Sequence, residues 1–224
     1  AGSGGPGPCI PSPVPPPRTR CFGLTGAVTK ILPDGGFKRV VTGLPSMALA
    51  DGTAEGGPAR LSFQGAAAYV TMGLGGNPAA VRTALGGQGD LFGTLLRVTP
   101  SVQYQVVGDI AAHEATTNPA GGAVDSNPYG VVALAGRRVI ADAGANALIE
   151  ARADGSTRTF AVPPALTGGR EAVPTSVTEG PDGALYLLDM QRDVIEHPDY
   201  IPAKLRAKLD LRAGYTVRVW QKIQ

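Results

Sequence analysis

Apolar and polar residues alternate with period two over short runs along most of this chain, and glycine or proline punctuates the runs. Gly26-Ala-Val-Thr-Lys-Ile31 alternates, breaks at Pro33-Asp34-Gly35-Gly36 and resumes at Phe37-Lys-Arg-Val-Val-Thr42. Strand, turn and strand in that order predict a hairpin. A second pattern occurs three times: a Pro, a short apolar strand, a glycine turn and another strand. The copies begin at Pro58, Pro128 and Pro174, and the last two end on Asp142 and Asp189. Those two start 46 residues apart, and the first two 70 apart. A repeat near 46 residues is the length of a four-stranded propeller blade, and the longer interval reads as one blade plus an insertion.

The remaining strands follow from the same pattern. The unit from Pro58 carries inner strands at 60–63 and 67–72, and outer strands at 94–99 and 104–107. Its insertion from Gly73 to about Phe92 predicts a short helix over Pro78 to Leu85, and a second helix is expected at Ile110 to Ala115. The third unit has strands at 129–134, 138–141, 147–151 and 157–162, with Asp154-Gly155 as the tight turn. The fourth has strands at 176–179 and 184–188, an amphipathic helix over Pro202 to Leu211, and a strand at 215–220. Residues 1–22 read as a Gly/Pro-rich loop. The expected fold is therefore all-β: a propeller of four-stranded antiparallel blades with short helical insertions. Its blades span about 23–57 (partial), 58–123, 124–173 and 174–224 (partial). Strand counts of two, four, four and three fall short of a closed ring. Either the chain is truncated at one or both ends, or its first hairpin joins its last strands to complete a small ring.

Composition narrows the class. Gly (32) and Pro (20) are abundant, apolar residues make up 43 %, and charged residues only 17 % with a net charge of +2. This argues against long helices and gives no basic stripe for nucleic acid. No apolar run is long enough to span a bilayer as a helix. The chain starts at Ala1 without Met or a charged-then-apolar leader, so a mature product or a fragment is expected. Cys9 and Cys21 flank a Pro-rich loop. A local disulfide there would stabilise by roughly 3 kcal/mol and would favour a secreted or periplasmic protein. Two free thiols are the alternative, and two cysteines alone do not make a zinc site.

Several collinear stretches resemble the ScyD/ScyE family of NHL-like six-bladed β-propellers. They include Cys21-Phe-Gly-Leu-Thr-Gly-Ala-Val-Thr29, Arg39-Val-Val-Thr-Gly-Leu-Pro-Ser46, Tyr69-Val-Thr-Met-Gly-Leu-Gly-Gly-Asn-Pro78, Val124-Asp-Ser-Asn-Pro-Tyr-Gly130 and Ala141-Asp-Ala-Gly-Ala-Asn146. The resemblance covers about residues 5–189. It implies export, a missing half of the first blade and further blades after the fourth unit, and it supplies no established reaction. Residues 189–214 instead resemble a segment of membrane-associated dehydrogenases related to glucose/sorbosone dehydrogenases. That group implies pyrroloquinoline quinone and calcium as cofactors, but the segment does not carry the residues that bind them.

The candidate site is Asp125, Asn127 and Tyr129 at the start of an inner strand, with Asp142 and Asn146 at the end of the next, and Asp189 in the place equivalent to Asp142. Convergent carboxylates and amides at a channel mouth suit a cation or a polar ligand. The competing reading is that they cap strand ends as Asx-turns. His113 is expected on the surface. His197, between Glu196 and Asp199, is the other histidine and a weak catalytic candidate. Gly73-Leu-Gly-Gly76 lacks the Lys-Ser/Thr ending of a phosphate loop, and the run Lys204, Arg206, Lys208, Arg212 reads as the wet face of a helix. No catalytic constellation and no metal cluster is identified. The primary expectation is an extracytoplasmic binding or scaffold module for a small polar ligand or a protein. The alternative is a quinone-dependent sugar or aldehyde dehydrogenase.

Overall fold

The computed structural model describes residues 2–12, 17–100, 102–164, 171–190 and 217–223. The helix expected at 202–211, His197 with Glu196 and Asp199, and the basic run from Lys204 to Arg212 lie outside them. The described chain forms four antiparallel sheets in sequence order. The first holds β1 (Cys9–Pro11), β2 (Thr19–Ile31) and β3 (Phe37–Ala48). The second holds β4 (Gly57–Gln64), β5 (Ala67–Gly73), β6 (Thr94–Thr99) and β7 (Val102–Asp109). The third holds β8 (Pro128–Leu134), β9 (Arg137–Asp142), β10 (Ala147–Arg152) and β11 (Thr157–Ala161). The fourth holds β12 (Pro174–Glu179), β13 (Leu185–Met190) and β14 (Val217–Ile223). Two helices sit on the second sheet's connections, α1 (Pro78–Leu85) and α2 (Ile110–Thr117).

Period-two alternation builds the layers between these sheets. On β5, Ala68, Val70 and Met72 face the first sheet, where they meet Val28, Val41 and Leu44. Ala67 and Tyr69 face the third sheet, where they meet Val131, Ile140 and Ile149. On β9 and β10 the alternate residues Val139, Ala141 and Leu148 face the fourth sheet, against Val177, Leu185 and Leu187. Each middle sheet thus buries both faces, which explains why its central strands read as almost continuous apolar runs. Face-to-face sheets in chain order, with an apolar layer between each pair, are a propeller-like all-β architecture.

The three Pro-initiated copies form β4–β5, β8–β9 and β12–β13, the first strand pair of each successive sheet. Their turns each place a glycine in the left-handed region: Gly65 (φ 57°), Gly136 (φ 76°) and Gly183 (φ 74°). Only glycine adopts that conformation without a steric penalty, so the repeated glycine is a backbone requirement. Each copy also breaks register just after its Pro. First strands of neighbouring sheets run side by side. The Ala133 N–H of β8 donates to Ser62 Oγ of β4 at 3.0 Å. A Cβ on Gly130 of β8 would fall 2.8 Å from the Ser176 Cα of β12.

The amino-terminal stretch departs from the loop expected there. Cys9, Ile10 and Pro11 form a strand paired with Cys21, Arg20 and Thr19, and Cys9 and Cys21 are joined by a disulfide. The first sheet therefore has three strands rather than two. Ile10 and Phe22 continue into a fourth apolar cluster with Leu74, Val81, Leu85, Phe92 and Ala111. That cluster seats α1 and α2 against the end of the sheets.

Candidate functional site

Two helix starts fix the frame. Asn77 caps α1 by accepting from the Ala80 N–H at 3.1 Å, and its Nδ2 donates to the Val124 carbonyl at 3.3 Å. Asp109 caps α2 by accepting from the Ala112 N–H at 2.9 Å. It also takes both guanidinium nitrogens of Arg82, each at 2.9 Å, which locks α1 to α2. Between these helices and the third sheet, the stretch 73–76 bonds through its backbone to Ser126. Gly75 donates to the Ser126 carbonyl and Gly76 accepts from the Ser126 N–H, which stitches the second sheet to the strand entrance at β8.

Asp142 is the centre of that entrance. It is fully buried and accepts four hydrogen bonds: from Ser126 Oγ (2.7 Å) and from the backbone N–H groups of Asn127 (2.6 Å), Gly144 and Ala145 (both 3.0 Å). Burial pushes its carboxyl pKa up, and the four donors oppose the rise. Asp189 repeats the arrangement one sheet on: nearly buried, it accepts from the Val173 N–H at 2.7 Å. In both copies one donor is the backbone N–H of the residue before the Pro. In the first copy the residue paired with Pro58 is Met72, so the carboxylate is absent there.

Asp125 and Asn127 flank Ser126 and so join Asp142 in one locale, while Asn146 lies apart. It adopts a left-handed turn (φ 52°) and donates to Glu171 Oε2 at 2.8 Å on the exposed rim. Tyr129 faces the other way, toward the second sheet. Its carbonyl accepts from Thr71 Oγ1 at 2.7 Å, and its hydroxyl accepts from Arg60 Nη2 at 3.0 Å. The Arg60 guanidinium lies over the Tyr129 ring, 4.5 Å from its centroid, a cation–π pair.

Behind Asp142 lies a group that the alternation pattern did not single out. Glu114 on α2 is 1 % exposed and leaves one carboxylate oxygen, Oε2, without a hydrogen-bond partner. Burial and the nearby Asp142 charge push its pKa up to about 7, against a hydrogen bond from the Asp125 backbone. Asp125 likewise has a buried, unpartnered Oδ1. Arg20 approaches from β2, buried, donating to the Leu74 and Gly75 carbonyls at 3.4 and 3.0 Å. Burial lowers its pKa while the Asp125 charge holds it up. The signal for Glu114 was its place one turn after Ile110, which puts both on the buried face of α2. His113 is half-buried rather than on the surface: its Nε2 contacts Thr159 Oγ1 at 2.9 Å, and burial lowers its pKa.

Between β4 and β8 a cavity of about 130 Å³ is lined by Glu55, Pro58, Arg60, Asn127 and Tyr129, with the backbone of Gly56, Gly57 and Gly73. Its wall offers a carboxylate, a guanidinium, an amide and bare peptide groups, so donors and acceptors converge on one small volume. Among the described residues no group of three or more His, Cys, Asp or Glu could hold a metal ion, and no helix is long and apolar enough to cross a membrane.

Residues 131–223 match the model of a domain of unknown function, DUF7133. No curated protein matches the chain. Among solved structures, the chain is similar to a catalytically inactive virginiamycin B lyase from Staphylococcus aureus with quinupristin. The identity is 16 % and the TM-score 0.40, over 74 % of this chain and 48 % of the lyase; the chain thus spans about half of that protein's length. It is also similar to an oxidoreductase of the glucose dehydrogenase type from Thermus thermophilus. There the identity is 17 % and the TM-score 0.23, over 84 % of this chain and 78 % of the other.

Proposed function

We propose that this chain is an extracytoplasmic binding module that holds a small hydroxylated molecule in the crevice between β4 and β8. The observation that carries the reading is the convergence of Glu55, Arg60, Asn127 and Tyr129 on a cavity of about 130 Å³. A hydroxyl both donates and accepts, so a polyol no larger than a monosaccharide uses this mixed wall better than a purely anionic or cationic ligand. Arg60 is already held over Tyr129, so little side-chain freedom is lost on binding. Asp142 fixes Asn127 through its backbone N–H; in this reading it positions the site and does not touch ligand. Location outside the cytoplasm is supported by the Cys9–Cys21 bond. The resemblance of residues 5–189 to the ScyD/ScyE family is the finer assignment in keeping with a binding role. The quinone reading fits the crevice poorly. One arginine offset by Glu55 is a weak partner for three carboxylates.

Saturation-transfer NMR with glycerol, glucose and myo-inositol tests the reading. Transfer to at least one of them is expected, with loss of the signal in the Arg60→Met, Tyr129→Phe double variant. Absence of transfer from all three, or transfer undiminished in the variant, would sink it.

A further inference from the structure

The hairpin joining β2 to β3 projects from the body. Its last inward-facing pair is Val28 and Val41, which belong to the apolar layer against the second sheet. Beyond that pair the chain is exposed from residue 29 to residue 40, except for partial cover of Leu32 and Gly36. Ile31 stands three residues beyond Val28, which extends the tip about 10 Å past the core. The turn is well tied: Leu32 N–H bonds the Gly36 carbonyl at 2.8 Å, Gly35 N–H bonds the Leu32 carbonyl at 2.9 Å, and Gly36 N–H bonds Asp34 Oδ1 at 2.9 Å.

Two features of this tip are unfavourable in water. Ile31 and Phe37 sit directly opposite each other across the ladder, 67 % and 75 % exposed. In the adjacent register position Lys30 faces Lys38, and like charges directly opposite destabilise a strand pair. Arg39 adds a third cation, whereas Asp34 is the tip's single acid and is committed to the turn. An apolar apex with a cationic collar on a convex, tied hairpin is what a bilayer interface with negative headgroups rewards. The apolar pair enters the headgroup boundary, whose usable depth of roughly 5–10 Å matches the projection. The collar stays in the anionic plane. A nucleic-acid duplex, with its bases stacked inside, would reward the cations but not Ile31 and Phe37, and a protein partner would have to supply a groove around a convex tip.

We infer that the β2–β3 hairpin tip docks this protein onto an anionic lipid surface. The inference goes beyond ligand binding at the crevice and is independent of it. Co-sedimentation of the whole chain with vesicles of phosphatidylcholine alone, and of phosphatidylcholine mixed with phosphatidylglycerol, is the test. Binding to the mixed vesicles is expected, weakening as salt rises. Replacing both lysines (K30Q with K38Q) removes two surface cations and should weaken binding by roughly 25-fold. The Ile31→Ser, Phe37→Ser double variant should lose at least about tenfold through its lost apolar burial. All four side chains are exposed, and matching thermal unfolding of the variants would establish that they fold. Failure to bind the mixed vesicles would overturn the inference, as would equal binding to both vesicle types or binding unchanged in either variant. Capture of an acidic protein by the tip, in a chain that ignores both vesicles, would reassign the surface to a protein partner.

Discussion

A carboxyl group buried with one oxygen unpaired costs folding free energy whenever it is charged. Glu114 is such a group, and its pKa rises from 4.5 to about 7. Between those values the folded chain holds a proton that the unfolded chain has released, so stability from this group is complete below about pH 4.5 and declines as pH rises through 7. The whole shift corresponds to about 3 kcal/mol at most. Glu114→Gln should therefore stabilise the protein at pH 8 by of order 1–3 kcal/mol and have little effect at pH 4, read from urea unfolding at both pH values. Glu150 has the opposite sign. Its carboxylate, 3 % exposed, meets Arg158 at 2.9 Å, Arg152 at 3.0 Å and Arg137 at 3.6 Å, and its pKa is lowered to about 2, chiefly by Arg158. It contributes stability above pH 4.5 that is lost as pH falls toward 2. Since the arginines are about half exposed, Glu150→Gln should cost only roughly 1–2 kcal/mol at pH 7 and little near pH 2. At Asp142 four donors converge, so Asp142→Ala should cost roughly 3–5 kcal/mol, with Asp142→Asn recovering part of it. Asp125, Asn127 and Asp142 were legible as neighbours because they sit at strand ends beside a repeated Pro, whereas the turn of Tyr129 toward the second sheet was not. Glu55, Arg60, Glu114 and Arg20 were not, because each acquires its role by approach from a different sheet or helix.

At the scale of elements, alternation with turn glycines located most of the strands, and α1 emerged at its expected bounds because Asn77-Pro78 is a cap followed by Pro at the first helical position. Strand β1 was hidden. Three residues within a Pro-rich stretch carry no period, and only the pairing of Cys9 with Cys21 turns them into a ladder. Reduction of that bond should lower the thermal midpoint, in line with a loop-closure contribution of roughly 3 kcal/mol. A non-reduced mass two hydrogens above the disulfide value would show that the bond is not made. Gly130 tests how the sheets meet. A Cβ there collides with the β12 backbone, so Gly130→Ala should destabilise by roughly 1–3 kcal/mol although the residue makes no side-chain contact of its own.

On the scale of the whole molecule, each sheet depends on the next, because the apolar layers lie between sheets and not within them. The blade-length repeat made this order visible in the sequence. The crevice was not visible there, since it arises only where β4 and β8 run side by side and Arg60 reaches across to Tyr129. That crevice is the proposed centre of function. The most direct test is a crystal structure of the protein soaked with the polyol that gives the strongest NMR transfer. The expected result is ligand density within hydrogen-bond distance of Arg60 and Asn127 and against the Tyr129 ring, absent in the Arg60→Met, Tyr129→Phe crystal. Ligand bound elsewhere, or a crevice that stays empty of ligand at saturating polyol, would contradict it.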